Sequence, residues 1–262
     1  MHSTHSATSE HDLPSPPRAD TATLALFVDV DGTLLDFAAR PDAVVVDAAL
    51  PETLRRLKCR LDGALAPVSG RPLREVEALL HLDGAAAGLH GAELRAPDGF
   101  ALEEPIASER LDAARTQAER AAAIPGVLVE DKRNAIALHY RAVPDAAFDV
   151  RRIAAAMLDA AGENYELMHG AFVVELKPSN VDKGTAVAAL MRVTPFAGRT
   201  PWVVGDDVTD EDAFAEANAR NGVSIIVGPR RPTAARYALQ GPAAARAWLA
   251  ALADGIGSEP RR

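Results

Sequence analysis

Cysteine is almost absent: the 262 residues hold one, Cys59. A single thiol excludes a disulfide framework and a cysteine zinc cluster within the chain, and it fits a reducing, cytoplasmic setting. Cys59 lies in an amphipathic stretch and reads as a packing residue. Positive charge is in deficit, with 28 Lys and Arg against 37 Asp and Glu and a formal net charge of −9. Such a surface repels a polyphosphate backbone, which excludes nucleic acid as a partner. A small anion remains admissible wherever cations gather at one site. Long apolar runs are missing too. None approaches the roughly 20 residues of a membrane span, so no membrane partner is expected. The opening 20 residues, "MHSTHSATSEHDLPSPPRAD", are polar and carry three prolines. They lack the apolar core of roughly 7–15 residues that a secretory signal needs, and they read as a disordered tail. His2, His5 and His11 read there as solvated side chains. No repeat is visible, and nothing in the sequence speaks to oligomeric partners.

What is present is an ordinary globular balance, 48% hydrophobic and 25% charged residues. Short apolar runs alternate with longer helical patterns, which is the signature of α/β architecture. "TLALFV" (23–28) is continuous and apolar, as a strand buried on both faces of a parallel sheet must be. "PETLRRLKCRL" (51–61) repeats leucine at helical spacing behind a proline. "ALAPVSG" (64–70), "PLREVEALL" (72–80) and "AAAGLHGAEL" (85–94) read as strand, helix, and strand with its loop. Residues 107–123 predict a helix, "GVLVEDK" and "AIALHYR" two strands, 145–163 a helix, and "YELMHG" and "FVVELKP" two more strands. That order is an α+β unit with its own sheet. The first pattern then resumes with helices over 182–193, 211–219 and 242–254 and strands over 201–207 and 222–228. The expected organisation is a tail (1–20), a Rossmann-like parallel-sheet core in two parts (21–103 and 181–256), and an inserted α+β cap domain (104–180).

Ligands of such sheets bind beyond the carboxyl ends of the strands. The polar punctuation falls there: Asp29 and Asp31, Ser69, and Asp206 and Asp207, with Asp210 close behind. Carboxylates a few ångströms apart repel by about 4 kcal/mol per pair at an effective dielectric near 20. A cation among them removes that repulsion. An all-oxygen donor set suits Mg²⁺, whereas zinc would want histidine or cysteine. The expected ligands are the Asp29 and Asp206 carboxylates, with the Asp31 backbone carbonyl as a further oxygen. Mg²⁺ in turn favours a phosphate ligand. Ser69 offers it a hydroxyl. Lys183, at the helix start in "VDKG", stands against the helix dipole, which bound phosphate or a pairing with Asp206 would explain. A solvated surface lysine is the competing reading. Asp29 is then placed to attack phosphorus and Asp31 to move the proton, while Gly32 lets the backbone turn. Thr33 either fixes Asp31 or donates to phosphate. Taken alone, Asp-x-Asp-Gly also fits a turn or part of a calcium loop. The EF-hand form fails for want of its other ligands and its glutamate.

Together "DVDGT" (29–33), Ser69 in "VSGR", Lys183 in "DKG" and "GDDVTDED" (205–212) resemble the four motifs of the haloacid dehalogenase superfamily, in order and across nearly all of residues 23–254. The insertion falls where that superfamily carries its type-two cap. Within it, "GDDVTDEDAF", "GLHGAELR" (88–95), "EDKRNAIALHYR" (130–141) and "FVVELKPSNVDKG" (172–184) are similar to strings of the trehalose-6-phosphate phosphatases. The resemblance implies a sugar phosphate as the small-molecule substrate and an aspartyl-phosphate intermediate. It implies Asp29 as nucleophile, Asp31 as acid and base, and Lys183 as a catalytic and phosphate-holding cation. Thr33 and Ser69 join Asp29 and Lys183 around the phosphate. Asp29, Asp31, Asp206 and Asp207 are the implied Mg²⁺ ligands. Glu130, Lys132, Asn134, Arg141 and Glu175 would meet the sugar from the cap, together with Arg71, His90 and Gly91. One departure stands out: "HGAFVVE" has Ala171 where the family usually carries lysine. His169 beside it reads as an exposed loop residue or as a compensating group. The alternative within the same chemistry is a phosphatase for another sugar phosphate or a glycosyl-glycerate phosphate. A phospho-receiver would need neither Asp31 nor a polar cap, and a non-catalytic sensor would be expected to lose Asp29 or Asp31.

Overall fold

A computed structural model of the chain describes residues 13–36, 46–99, 101–103, 109–132, 135–179 and 181–255. In chain order the elements are β1 (Leu24–Val28), α1 (Leu50–Arg60), β2 (Leu65–Pro67), α2 (Leu73–Leu80), β3 (Ala86–Gly88), β4 (Glu93–Arg95), β5 (Ala101–Glu103), α3 (Glu109–Ala122), β6 (Leu128–Asp131), β7 (Ile136–His139), α4 (Ala147–Ala161), β8 (Tyr165–Gly170), β9 (Val173–Pro178), α5 (Lys183–Leu190), β10 (Thr200–Gly205), α6 (Glu211–Ala219), β11 (Val223–Val227), β12 (Tyr237–Leu239) and α7 (Pro242–Ala253). The chain divides into two compact units, Met1–Leu65 with Met191–Arg262, and Ala66–Leu190.

The first unit is built on a sheet of order β12-β11-β10-β1-β2, with β1, β10, β11 and β12 paired in parallel. Every residue of β1 is buried, as its unbroken apolar run requires when helices cover both faces. Phe27 stacks on Phe196 at 5.3 Å, and Leu26 donates its N–H to Ala64 O (2.9 Å) at the start of β2. Helix α1 buries Leu50, Leu54 and Leu57, one stripe at helical spacing. Cys59 falls off that stripe and is exposed, so the packing role expected of it is corrected. The apolar stripe expected of α7 is present: Leu249 and Leu252 are buried, and Trp248 stacks on Trp202 with ring centroids 6.1 Å apart. Residues 1–12 of the expected tail lie outside the described residues. Residues 13–20 are anchored at two points, although Pro14, Ser15, Pro17 and Arg18 are exposed. Pro14 O accepts from Ala238 N–H at 2.9 Å, and Ala19 is buried.

The second unit carries two antiparallel sheets, β3-β4-β5 and β6-β7-β9-β8. The four-stranded sheet packs one face on α3 and α4. Ile136, Leu138, Tyr140, Val174, Leu176 and Tyr165 from the strands meet Leu111, Ala114, Ala118, Val150, Ile153 and Met157 from the helices. Alternation along the strands then sends Glu130, Ala137, His139, Glu175 and Lys177 to the opposite face. Register sets Glu130 opposite Ala137, and Ala137 opposite Glu175, in one row across three strands.

Candidate active site

In the first unit, Asp29 and Asp206 are neighbours because their strands are. Val28 lies opposite Val204 in the parallel ladder, Asp29 N–H donates to Val204 O (2.9 Å), and each aspartate directly follows the last residue of its strand. The chain then turns at once. Gly32 N–H donates to Leu35 O (2.8 Å), while the Leu34 and Leu35 N–H groups share Val30 O. From α7, Arg246 donates to Leu34 O at 2.9 Å and steadies that turn. Thr33 is fully buried and donates its hydroxyl to Asp206 Oδ1 at 3.2 Å, so it orders a carboxylate on the adjacent strand.

Asp210 was not among the expected ligands, yet it completes the cluster. Asp29, Asp206 and Asp210 each place a carboxylate oxygen within 4.8 Å of the other two. Asp210 Oδ2 accepts the N–H groups of both Asp206 and Asp207 at 3.0 Å. Asp207 reciprocates as the cap of the turn over Val208–Asp210, its side chain accepting the Asp210 N–H. Gly205 is required here: a Cβ on it would lie 2.2 Å from Asp210 Cγ. The spacing "GDDVTD" carried this signal, since an aspartate three residues past an aspartate cap is a capping-box pattern. Asp207 itself is exposed, and Asp31 pairs as an isolated bridge with Leu35. Three hard oxygen donors of like charge, two of them buried and one braced by Thr33, fit a divalent cation.

The second unit gathers cations. Lys183 opens α5 and is 3% exposed. Asp182 caps that helix: its Oδ1 accepts the Thr185 N–H (2.7 Å), and its own N–H donates to Thr185 Oγ1 (3.0 Å). A buried lysine at a helix N-terminus opposes the dipole, so the position is held by something other than helix preference. Ser69 is buried, donates its N–H to Ala87 O (2.9 Å) and accepts the Arg71 N–H on Oγ (3.1 Å). Leu89 and His90 follow with φ of +49° and +58°, two successive side-chain-bearing residues in the left-handed region. Such strain is found where a side chain must be aimed. The His90 ring packs on the backbone of Gly70, and its buried Nδ1 has no partner. Burial and the nearby Lys183, Lys132 and Lys177 hold His90 well below the ordinary imidazole range, so it stays neutral. Gly91 admits the close approach of the α5 entry, for a Cβ there would meet Asp182 O at 2.8 Å.

On the polar face of the four-stranded sheet, Lys132 Nζ pairs with Glu175 Oε2 at 2.7 Å, side chains 10% and 5% exposed. Glu175 Oε1 is buried and has no partner. Glu130 pairs with His139 at 2.8 Å, an interaction the sequence reading did not anticipate, although strand alternation puts both on one face. That hydrogen bond, with Lys132 and Arg71 nearby, holds the Glu130 carboxyl below its ordinary range despite burial. Lys177 bonds Glu166 (2.6 Å) and Val181 O (2.8 Å), bracing the run from β9 towards α5. Arg71 lies 3.7 Å from Glu75, and Arg141 stacks over the exposed Phe172 ring at 5.8 Å. His169 and Ala171 are exposed near the β8–β9 turn. Asn134 lies outside the described residues.

Comparison with known proteins places these groups in context. The profile of the family described as trehalose-phosphatase matches residues 27–243. A Sinorhizobium fredii protein named probable trehalose-phosphate phosphatase is 43% identical over 247 residues, covering 92% of each chain. The trehalose-6-phosphate phosphatase of Escherichia coli is 38% identical over 234 residues, covering 87% of this chain and 86% of that one. Among solved structures, the C-terminal domain of Candida albicans trehalose-6-phosphate phosphatase shares the fold with a TM-score of 0.77 at 22% identity, covering 95% of this chain and 100% of that one.

Proposed function

The chain belongs to the trehalose-phosphatase family, a family of phosphoric monoester hydrolases, and from that premise we propose that it hydrolyses trehalose 6-phosphate to trehalose and phosphate. The observation that carries the substrate reading is the polar sheet face with its orphaned, buried Glu175 Oε1. A buried acceptor without a donor costs free energy that a ligand hydroxyl recovers. Trehalose is uncharged and rich in hydroxyls, and a wall of charged acceptors and donors gives it the stronger class of hydrogen bond. Glu130, Lys132, Glu175 and, with them, Asn134, Arg141, Arg71, His90 and Gly91 are the proposed sugar contacts. Residues 104–180 are the proposed cap.

In the chemical step a carboxylate oxygen of Asp29 attacks phosphorus. The bond from phosphorus to the sugar oxygen breaks, and Asp31 gives that oxygen its proton. Asp31 then takes a proton from water. The water oxygen attacks phosphorus and frees phosphate and Asp29. Ser69, Lys183 and Thr33 hold phosphate oxygens and offset charge, Lys183 being the cation already buried at a helix N-terminus. Mg²⁺ is the proposed metal, held by Asp29 and Asp206 with Asp31 and Asp207 as the further expected donors, and by Asp210 on the geometry above. When bound it neutralises carboxylate and phosphate charge.

The proposal is tested by Asp29→Asn and by chelation. The variant should fold as the parent does and release no phosphate. EDTA should abolish release, and Mg²⁺ should restore it. Phosphate release by Asp29→Asn at the parent rate would remove Asp29 from the chemistry, and full activity in a metal-free sample would remove the metal.

A further inference from the structure

Four side chains on the polar sheet face form two pairs of the same design. In one, Lys132 engages Glu175 Oε2 and leaves Oε1 open. In the other, His139 Nε2 engages Glu130 Oε2 at 2.8 Å. The second pair is diagonal. Glu130 lies opposite Ala137, and His139 is two residues further along β7, so the small Ala137 side chain leaves the space across which the two reach. Neither partner contributes to the core. Both are about one-third exposed, 30% and 31%, on the face away from α3 and α4. A histidine with no core to fill, bonded to one oxygen of an acid, has an effect only through that acid.

We infer that His139 is a positioning residue for substrate recognition: its imidazole fixes the Glu130 carboxylate through Oε2 and presents Oε1 to a sugar hydroxyl. The inference rests on the proposed role of Glu130 as a sugar contact. A free glutamate side chain loses rotamer freedom when a ligand fixes it, and that loss weakens binding. A neighbour that fixes it beforehand removes the loss. The bond also keeps Glu130 an ionised acceptor, in concert with Lys132 and Arg71. Every interaction is made with bound substrate before phosphorus is touched, so the effect belongs to affinity rather than to turnover.

The test measures phosphate release from trehalose 6-phosphate and from p-nitrophenyl phosphate. His139→Leu should raise KM for the disaccharide about tenfold, the range set by ordering one free glutamate side chain on binding, leaving kcat and both constants for p-nitrophenyl phosphate unchanged. His139→Gln, whose amide N–H replaces the ring donor, should return KM to within about threefold of the parent. In a Glu130→Ala background, His139→Leu should add nothing. If leucine lowers the melting temperature, His139→Asn, polar but too short to reach Glu130, is read in the same way. A raised KM in Glu130→Ala with a parental KM in the His139 variants would overturn the positioning role. A parental KM in Glu130→Ala would instead overturn the sugar contact beneath it. A fall in kcat on both substrates would place His139 in the fold or the chemistry and refute the inference.

Discussion

Replacing Lys132 by methionine leaves Glu175 as a buried carboxylate with neither oxygen partnered. The pair is close, 2.7 Å, with side chains 10% and 5% exposed. At an effective dielectric near 20, that separation gives a gross attraction of about 6 kcal/mol. Desolvation of both ions offsets much of it, and the loss on removing one partner of a buried pair is about 3–5 kcal/mol. Methionine keeps the length of the lysine stem, so the loss is electrostatic rather than a cavity. The double variant Lys132→Met/Glu175→Leu removes both charges and should recover to within about 1 kcal/mol of the parent. Urea unfolding followed by circular dichroism reads the helices that pack on this sheet. Tryptophan fluorescence does not, because Trp202 and Trp248 both lie in the other unit. Both variants should bind trehalose 6-phosphate poorly, so stability returns in the double variant and affinity does not. A single variant that loses less than about 1 kcal/mol, or a double variant as unstable as the single, would refute the buried-pair reasoning.

Acid should destabilise the fold through His90. Its folded pKa is depressed well below 6.5, so below about 6.5 the unfolded chain binds a proton that the folded chain refuses, and stability falls as pH drops. His90→Gln should flatten denaturation midpoints between about pH 5 and 7; an unchanged slope would contradict the neutral, buried imidazole. His81 ends α2 in the left-handed region, with φ of +47°. His81→Gly should raise stability by about 0.5–1 kcal/mol without altering activity, and a loss in thermal unfolding would contradict it. Asp210→Ala strips the acceptor from two backbone N–H groups. It should weaken Mg²⁺ binding about 10–100-fold in titration calorimetry, as loss of a supporting group does; parental affinity would exclude Asp210 from the metal site.

Much of this is written in local sequence, for a physical reason. Strand β1 and helix α1 announce themselves because an unbroken apolar run and a run with leucine at helical spacing have few other uses. Strands β5 and β12, three residues each, are too short to show a period, and neither is legible in the sequence. Asp29 and Asp206 were legible because they stop buried strands. That they become neighbours depends on β1 pairing with β10, across more than 170 residues of chain. Asp210 was seen only as part of an acidic run. Its role in accepting two backbone N–H groups belongs to the turn, which a count of charges does not contain. His139 lies within a family-like string that gives it no role, because its meaning depends on the diagonal it makes with Glu130. The left-handed backbone at Leu89 had no signal in residue type, since leucine does not favour it.

Phosphoryl chemistry at Asp29 and recognition of a disaccharide by the polar sheet face are the two halves of the proposed activity. The most direct measurement is kcat/KM for phosphate release from trehalose 6-phosphate, glucose 6-phosphate and p-nitrophenyl phosphate, with Mg²⁺ present. Trehalose 6-phosphate should be preferred by at least about a hundredfold, the discrimination that two well-made hydrogen bonds to charged groups supply. Equal values for all three, or a preference for glucose 6-phosphate, would contradict it.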